Sequence, residues 1–221
     1  MAHRGGESVR QRARLGRVLV TVLAIGLLAA PACADLKVNG DQRAWADLKA
    51  ALAKLYAMSF RAKVTSKDVS QALMEFVPPG STRTTVQTKS GAMEMVRVGG
   101  KTAIKTGAAG WRCVNMPQPT TLPNLSTLEG SVDISRGADT TINSTPVHTY
   151  LYATTSAVSG RTTKGTWYVG SQTGLPVRFV ISGGGSIDYY DYGAAITIAF
   201  PSCVTASRGN GAVSTTASAG P

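Results

Sequence analysis

The sequence predicts an α+β domain: one amphipathic helix followed by a long run of short antiparallel strands. Three observations predict it. Apolar residues recur at helical period over residues 41–58 only. From Ser59 onward the period changes to two, in runs of four to eight residues rich in β-branched and aromatic side chains. Gly, Pro, Ser and Asp separate those runs by links too short for parallel crossovers, so neighbouring strands are expected to be antiparallel.

The chain opens with a segment that does not belong to the fold. Arg4, Arg10, Arg12, Arg14 and Arg17 form a positive region, and Val18 to Ala30 is an apolar run of 13 residues. Pro31-Ala-Cys-Ala34 then supplies small residues at the −3 and −1 positions of a cleavage site before Asp35. This is the pattern of a secretory signal peptide over residues 1–34, and the apolar run is short for a spanning helix. The mature protein is expected to be periplasmic or secreted. The alternative is a lipid anchor at Cys33, since Ala30-Pro-Ala-Cys33 resembles a bacterial lipobox that lacks Leu at −3.

The formal net charge of +11 falls to +7 once the five leader arginines and Glu7 are set aside. The basic residues are scattered and not interleaved with aromatics, which argues against nucleic acid as a partner. An anionic membrane surface or lipid headgroup suits the charge better. With Cys33 removed, Cys113 and Cys203 remain, and an even count in an exported chain predicts a disulfide between them; two unrelated buried thiols are the alternative.

Asp41 to Met58 reads as the helix, with Asp41 able to cap it. Trp45, Leu48, Leu52 and Leu55 form its apolar stripe. A core-facing helix and a membrane-surface helix both fit that stripe. Phe60, Ala62 and Val64 then alternate with Arg61, Lys63 and Thr65. Further strands are expected at Leu73–Val77, Thr82–Lys89, Met93–Val98, Lys101–Thr106 and Trp111–Val114, with Gly99-Gly100 as a two-residue hairpin turn. Asn115 to Gly130 breaks the pattern with prolines and spaced leucines. Leu122, Leu125 and Leu128 need apolar cover, which makes this segment either a lid or a loop stitched to the core. Val132–Ser135, Thr140–Asn143 and Pro146–Ala157 continue the strands. The last ordered third, Thr162 to Cys203, reads as a meander of Thr166–Val169, Leu175–Ile181, Ser186–Tyr190 and Gly193–Phe200. Val204 to Pro221 is Ser, Thr, Gly and Ala with one charge, and is expected to be a disordered tail.

Catalytic sets are missing from the pattern. The mature chain has one histidine, His148, placed inside a strand. An enzyme reading would need it beside a carboxylate and a hydroxyl in a cleft. There is no His pair or Cys-x-x-Cys for zinc, and Asp188 with Asp191 falls short of a calcium loop. No metal, cofactor or catalytic residue is expected.

Several phrases resemble a known family: Met95-Val-Arg-Val-Gly-Gly-Lys-Thr-Ala103, Gly110-Trp-Arg112, Trp167 through Arg178, and Tyr190-Asp-Tyr-Gly193 through Pro201. Together with the order of elements over residues 41–203, they are similar to the LolA-like superfamily of bacterial envelope proteins, including the LppX/LprG-type lipoproteins. The resemblance implies a strongly curved half-barrel of about 10–11 antiparallel strands, an N-terminal helix packed on its concave side, and a cavity for acyl chains. A non-enzymatic carrier of a lipid or acylated ligand is expected, as a monomer, with a membrane surface or envelope protein as a further partner. Trp45, Leu48, Leu52 and Leu55 with Leu122, Leu125 and Leu128 are then the candidate ligand-binding residues. A protein–protein interaction or sensing module on the same fold is the alternative.

Overall fold

The computed structural model describes residues 36–66, 71–88, 91–114, 130–157 and 159–205. Residues 1–35, expected to hold a signal peptide, the leucine-bearing segment 115–129 and residues 206–221 lie outside them. The described chain is one large, curved, unclosed sheet with a single helix. In chain order the elements are β1 (Lys37–Gly40), α1 (Gln42–Tyr56), β2 (Phe60–Ser66), β3 (Gln71–Val77), β4 (Ser81–Thr88), β5 (Gly91–Val98), β6 (Lys101–Thr106) and β7 (Arg112–Val114). They continue as β8 (Gly130–Arg136), β9 (Thr140–Ile142), β10 (Thr145–Ser156), β11 (Thr162–Gly170), β12 (Pro176–Ile181), β13 (Gly185–Tyr190) and β14 (Val204–Thr205). The described sheet therefore has 14 strands rather than ten or eleven, in the order β1-β8-β10-β11-β12-β13-β2-β3-β4-β5-β6-β7-β14, with β9 on β10.

The helix begins where its sequence predicts. The Asp41 carboxylate accepts from the backbone N–H groups of Arg43 at 2.9 Å and Ala44 at 3.0 Å, two of the donors a helix start leaves unsatisfied. The Asp41 N–H itself donates to the Ile134 carbonyl at 2.9 Å, tying the helix start to β8. The Trp45–Leu55 stripe joins Phe60, Phe76, Val132, Ile134, Trp167, Ile187 and Tyr189 in one core, which defines the helix-facing side of the sheet. Aromatic rings line that side. Phe60 stacks on Phe76 at 4.9 Å and Trp167 on Phe179 at 4.3 Å, while Tyr189 meets Phe60 edge-on at 5.8 Å. Such pairs contribute about 0.5–1.5 kcal/mol each beyond their buried area.

The pairing β13–β2 joins the two halves of the sheet, with Ile187 opposite Val64 and Tyr189 opposite Ala62. Gly99 and Gly100 both have positive φ, the backbone that a two-residue β5–β6 turn requires.

Three expectations are corrected. Two edge pairs are parallel, β1 with β8 and β14 with β7. A parallel neighbour needs a long connection, and both pairs have one: α1 and six strands intervene in the first case, some 90 residues in the second. Gly193–Phe200 is not a strand. Its exposure alternates residue by residue as an extended chain's does, but it starts beside β2, where the Gly193 N–H donates to the Ser59 carbonyl. Both edges of β2 are already occupied by β13 and β3, so no ladder is free to receive it. Finally, Val204 and Thr205 pair with Arg112 and Cys113, so the sheet takes in two residues read as tail. The Cys113–Cys203 disulfide is present, with Cα atoms 5.4 Å apart. By register Cys113 shares the outer face with Ala103 and Val96, both buried.

Candidate functional site

Cross-strand partners share a face of a sheet, so the register assigns every side chain of β2–β7. The helix-facing row that starts at Phe60 runs through Phe76, Thr82, Arg97, Thr102 and Val114. The next row runs Ala62, Met74, Thr84, Met95, Ile104 and Arg112, and a third runs Val64, Ala72, Val86, Met93 and Thr106. The helix lies chiefly against β8, β1 and β12. The helix-facing side of β3–β6 therefore carries three methionines and Ile104, with threonines between them and Arg97 at one end. Val86 and Met93 are buried, whereas Met74, Met95 and Ile104 are partly exposed. Unbranched methionines adapt their shape to irregular apolar partners.

Charge on this half is sorted by face. Glu75 and Glu94 point outward, where Arg61 meets Glu75 at 3.0 Å and Arg83 meets Glu75 at 3.2 Å and Glu94 at 3.5 Å. Arg61 also reaches Asp191 at 2.9 Å. The helix-facing side of the described β2–β7 residues carries Arg97 and Arg112 and no acid. Arg97 is partly buried, and its Nε has no hydrogen-bond partner among the described residues.

Of the residues singled out from sequence, Trp45, Leu48, Leu52 and Leu55 are brought together, but as core: none is more than 7% exposed and all join the one cluster. As packed, they would meet a ligand only at the helix margin. Leu122, Leu125 and Leu128 lie outside the described residues.

A concavity missed by sequence reasoning opens on the polar side of α1. It encloses about 720 Å³, and its walls include Asp47, Lys54, Arg136, His148, Tyr150 and Ser171. The β8–β10 register puts Arg136 opposite Tyr150. Arg136 donates to the Tyr150 hydroxyl at 3.1 Å and to Asp139 at 2.9 Å, and Asp139 meets His148 Nδ1 at 2.9 Å. Hydrogen bonds from His148 and then Arg136 hold the Asp139 carboxyl below its ordinary pKa, while burial raises that of the Tyr150 phenol. His148, Tyr150 and Ser171 thus line one cleft, with the exposed Asp139 bonded to His148 at its edge. The Tyr150 oxygen accepts from Arg136, and Ser171 donates to the Pro146 carbonyl at 3.2 Å. Among the described residues neither hydroxyl is bonded to His148, the pairing an activated nucleophile uses.

No protein-family model and no curated protein matches the chain. Solved structures do. The lipoprotein LppX of Mycobacterium tuberculosis superposes with a TM-score of 0.55 over 72% of this chain and 100% of its own, at 14% identity. LprF of Mycobacterium bovis gives 0.53 over 73% and 98%, at 16% identity. The chain has the fold of these two proteins, and the resemblance that its strand and turn phrases carry is met at the level of the whole sheet.

Proposed function

We propose that this chain is an exported cell-envelope protein that holds a lipid or lipidated ligand in a hydrophobic groove and performs no chemistry on it. The supporting observation is the partly exposed row Met74, Met95 and Ile104 on the helix-facing side of β3–β6. The groove runs along this surface, with the margin of the Trp45–Leu55 stripe as its other wall. The fold shared with the lipoprotein LppX and with LprF supports the reading, and so does the signal-peptide pattern of residues 1–34.

Each buried methylene contributes about 0.8 kcal/mol, against an association cost of about 4–15 kcal/mol. Short chains therefore bind poorly, and affinity climbs with length. A titration with saturated fatty acids of increasing length, displacing an uncharged solvatochromic dye, tests this. Affinity is expected to rise by about tenfold or more for every two methylenes. Absence of saturable binding, or affinity independent of length, would sink the proposal. The protein–protein module remains the second reading because of the open polar cleft, and it gains if the dye titration fails while an envelope protein binds at Arg136 and His148.

A further inference from the structure

Arg97 belongs neither to the core cluster nor to the polar cleft. It sits on β5 at the same parity as Met93 and Met95, so it projects from the apolar side of the sheet. Its cross-strand neighbours there are Thr82 on β4 and Thr102 on β6. Thr102 is 2% exposed, and its Oγ1 is buried with no partner among the described residues. The Arg97 Nε is in the same condition. No carboxylate shares this side of β2–β7, because Glu75 and Glu94 are spent on Arg61 and Arg83 outside. Burial lowers the Arg97 pKa. Arg112 adds a second cation on the same side, one row away.

A partly desolvated guanidinium without a counter-charge is costly. Its fork of donors suits a carboxylate or phosphate, which it binds through paired charge-assisted hydrogen bonds. An unpaired hydroxyl next to it adds another group for the same anion. The methionine-lined surface begins one row away, through Met95 and Ile104. Anion site and hydrocarbon surface are therefore contiguous. Only a molecule with an acidic head and an apolar tail satisfies both.

We infer that the groove selects an anionic amphiphile, a lipid whose carboxylate or phosphate head is held by Arg97 and Thr102 while its tail lies along Met74, Met95 and Ile104. This deepens the lipid-binding reading and rests on it.

The test compares dodecanoate, dodecyl phosphate and dodecanol as competitors of an uncharged solvatochromic dye, with inorganic phosphate as a fourth ligand. The two acids are expected to bind at least tenfold more tightly than the alcohol. Arg97→Met removes the charge while keeping an unbranched chain. It should bring both acids to the affinity of the alcohol and leave the alcohol within twofold of wild type. Arg97→Lys should retain part of the preference. Should an Arg97 variant unfold, Thr102→Val supplies the same comparison with a smaller loss of preference, and the wild-type ranking stands without any variant. Equal affinity for all three dodecyl compounds overturns the selectivity while leaving lipid binding intact. Equal weakening of acid and alcohol by Arg97→Met assigns Arg97 to packing and also overturns it. Failure of all three to displace the dye removes the lipid-binding reading and this one together. Displacement of dodecyl phosphate by millimolar inorganic phosphate would mean a free-anion site, and the amphiphile assignment would fall.

Discussion

Leu48→Ala separates a core helix from a ligand-wall helix. Leu48 is fully buried at the centre of the α1 stripe. The helix around it is fixed at both ends: the Asp41 N–H donates to the Ile134 carbonyl at 2.9 Å, and Lys54 Nζ donates to the Thr173 carbonyl at 2.6 Å. A helix held this way collapses little into a cavity, so the loss lies in the middle to upper part of the 2–5 kcal/mol range for Leu→Ala, at about 3–4 kcal/mol. Total stability of such a domain is about 5–15 kcal/mol. At about 2–4 °C per kcal/mol for this size, Tm should fall by roughly 6–16 °C. Met95→Ala, on the partly exposed row of β5, should cost less stability and more acyl affinity. Denaturant unfolding and dye displacement, run on both variants, check the pair. If Leu48→Ala costs under about 1 kcal/mol and weakens acyl binding more than Met95→Ala does, the helix stripe is the ligand wall and the reasoning fails.

Replacing Cys113 and Cys203 together by Ser opens a link across a sequence separation of 90. The chain-entropy model gives a loss of about 4–5 kcal/mol, measured by urea unfolding against the oxidised parent. Asp41→Ala removes the acceptor for two helix N–H groups and should cost about 1 kcal/mol in the same assay. Tyr152 has its pKa pushed up by burial to about 12. A raised folded-state pKa means a contribution fully present below the ordinary value of 10.0 and lost as pH rises toward about 12. Stability should therefore fall over that interval, and less so in Tyr152→Phe; identical pH profiles for the two proteins would contradict this. His148→Ala should leave acyl binding within twofold of wild type, since His148 lines the polar cleft and not the groove.

The helix was legible almost to the residue, because cap chemistry and a 3.6-residue stripe coincide between Asp41 and Tyr56. Most strands were legible as well, since turn residues bound them on both sides. Partners were harder. The alternation in Gly193–Phe200 reports two faces of an extended chain and says nothing of a free edge, and β2 had none to offer. The short edge strand Lys37–Gly40 carries too few residues to show a period, and its partner lies on distant β8. The apolar stripe of α1 could not reveal whether a ligand or the sheet would cover it. Arg97 was visible only as a charge inside a strand. Its parity with Met93 and Met95 was a usable signal, but its meaning required knowing that this side faces the helix and that the acids lie on the other. The Arg136–Asp139–His148–Tyr150 cluster depends on the β8–β10 register, which no local spacing encodes.

The most direct measurement is photo-cross-linking with a diazirine-bearing fatty acid, followed by peptide mapping. Saturable label, competed by unlabelled fatty acid, is expected on peptides from β3, β5 and β6 that carry Met74, Met95 and Ile104. Label concentrated instead at the Arg136–His148 cleft or on the outer face of the sheet, or no saturable label at all, would contradict it.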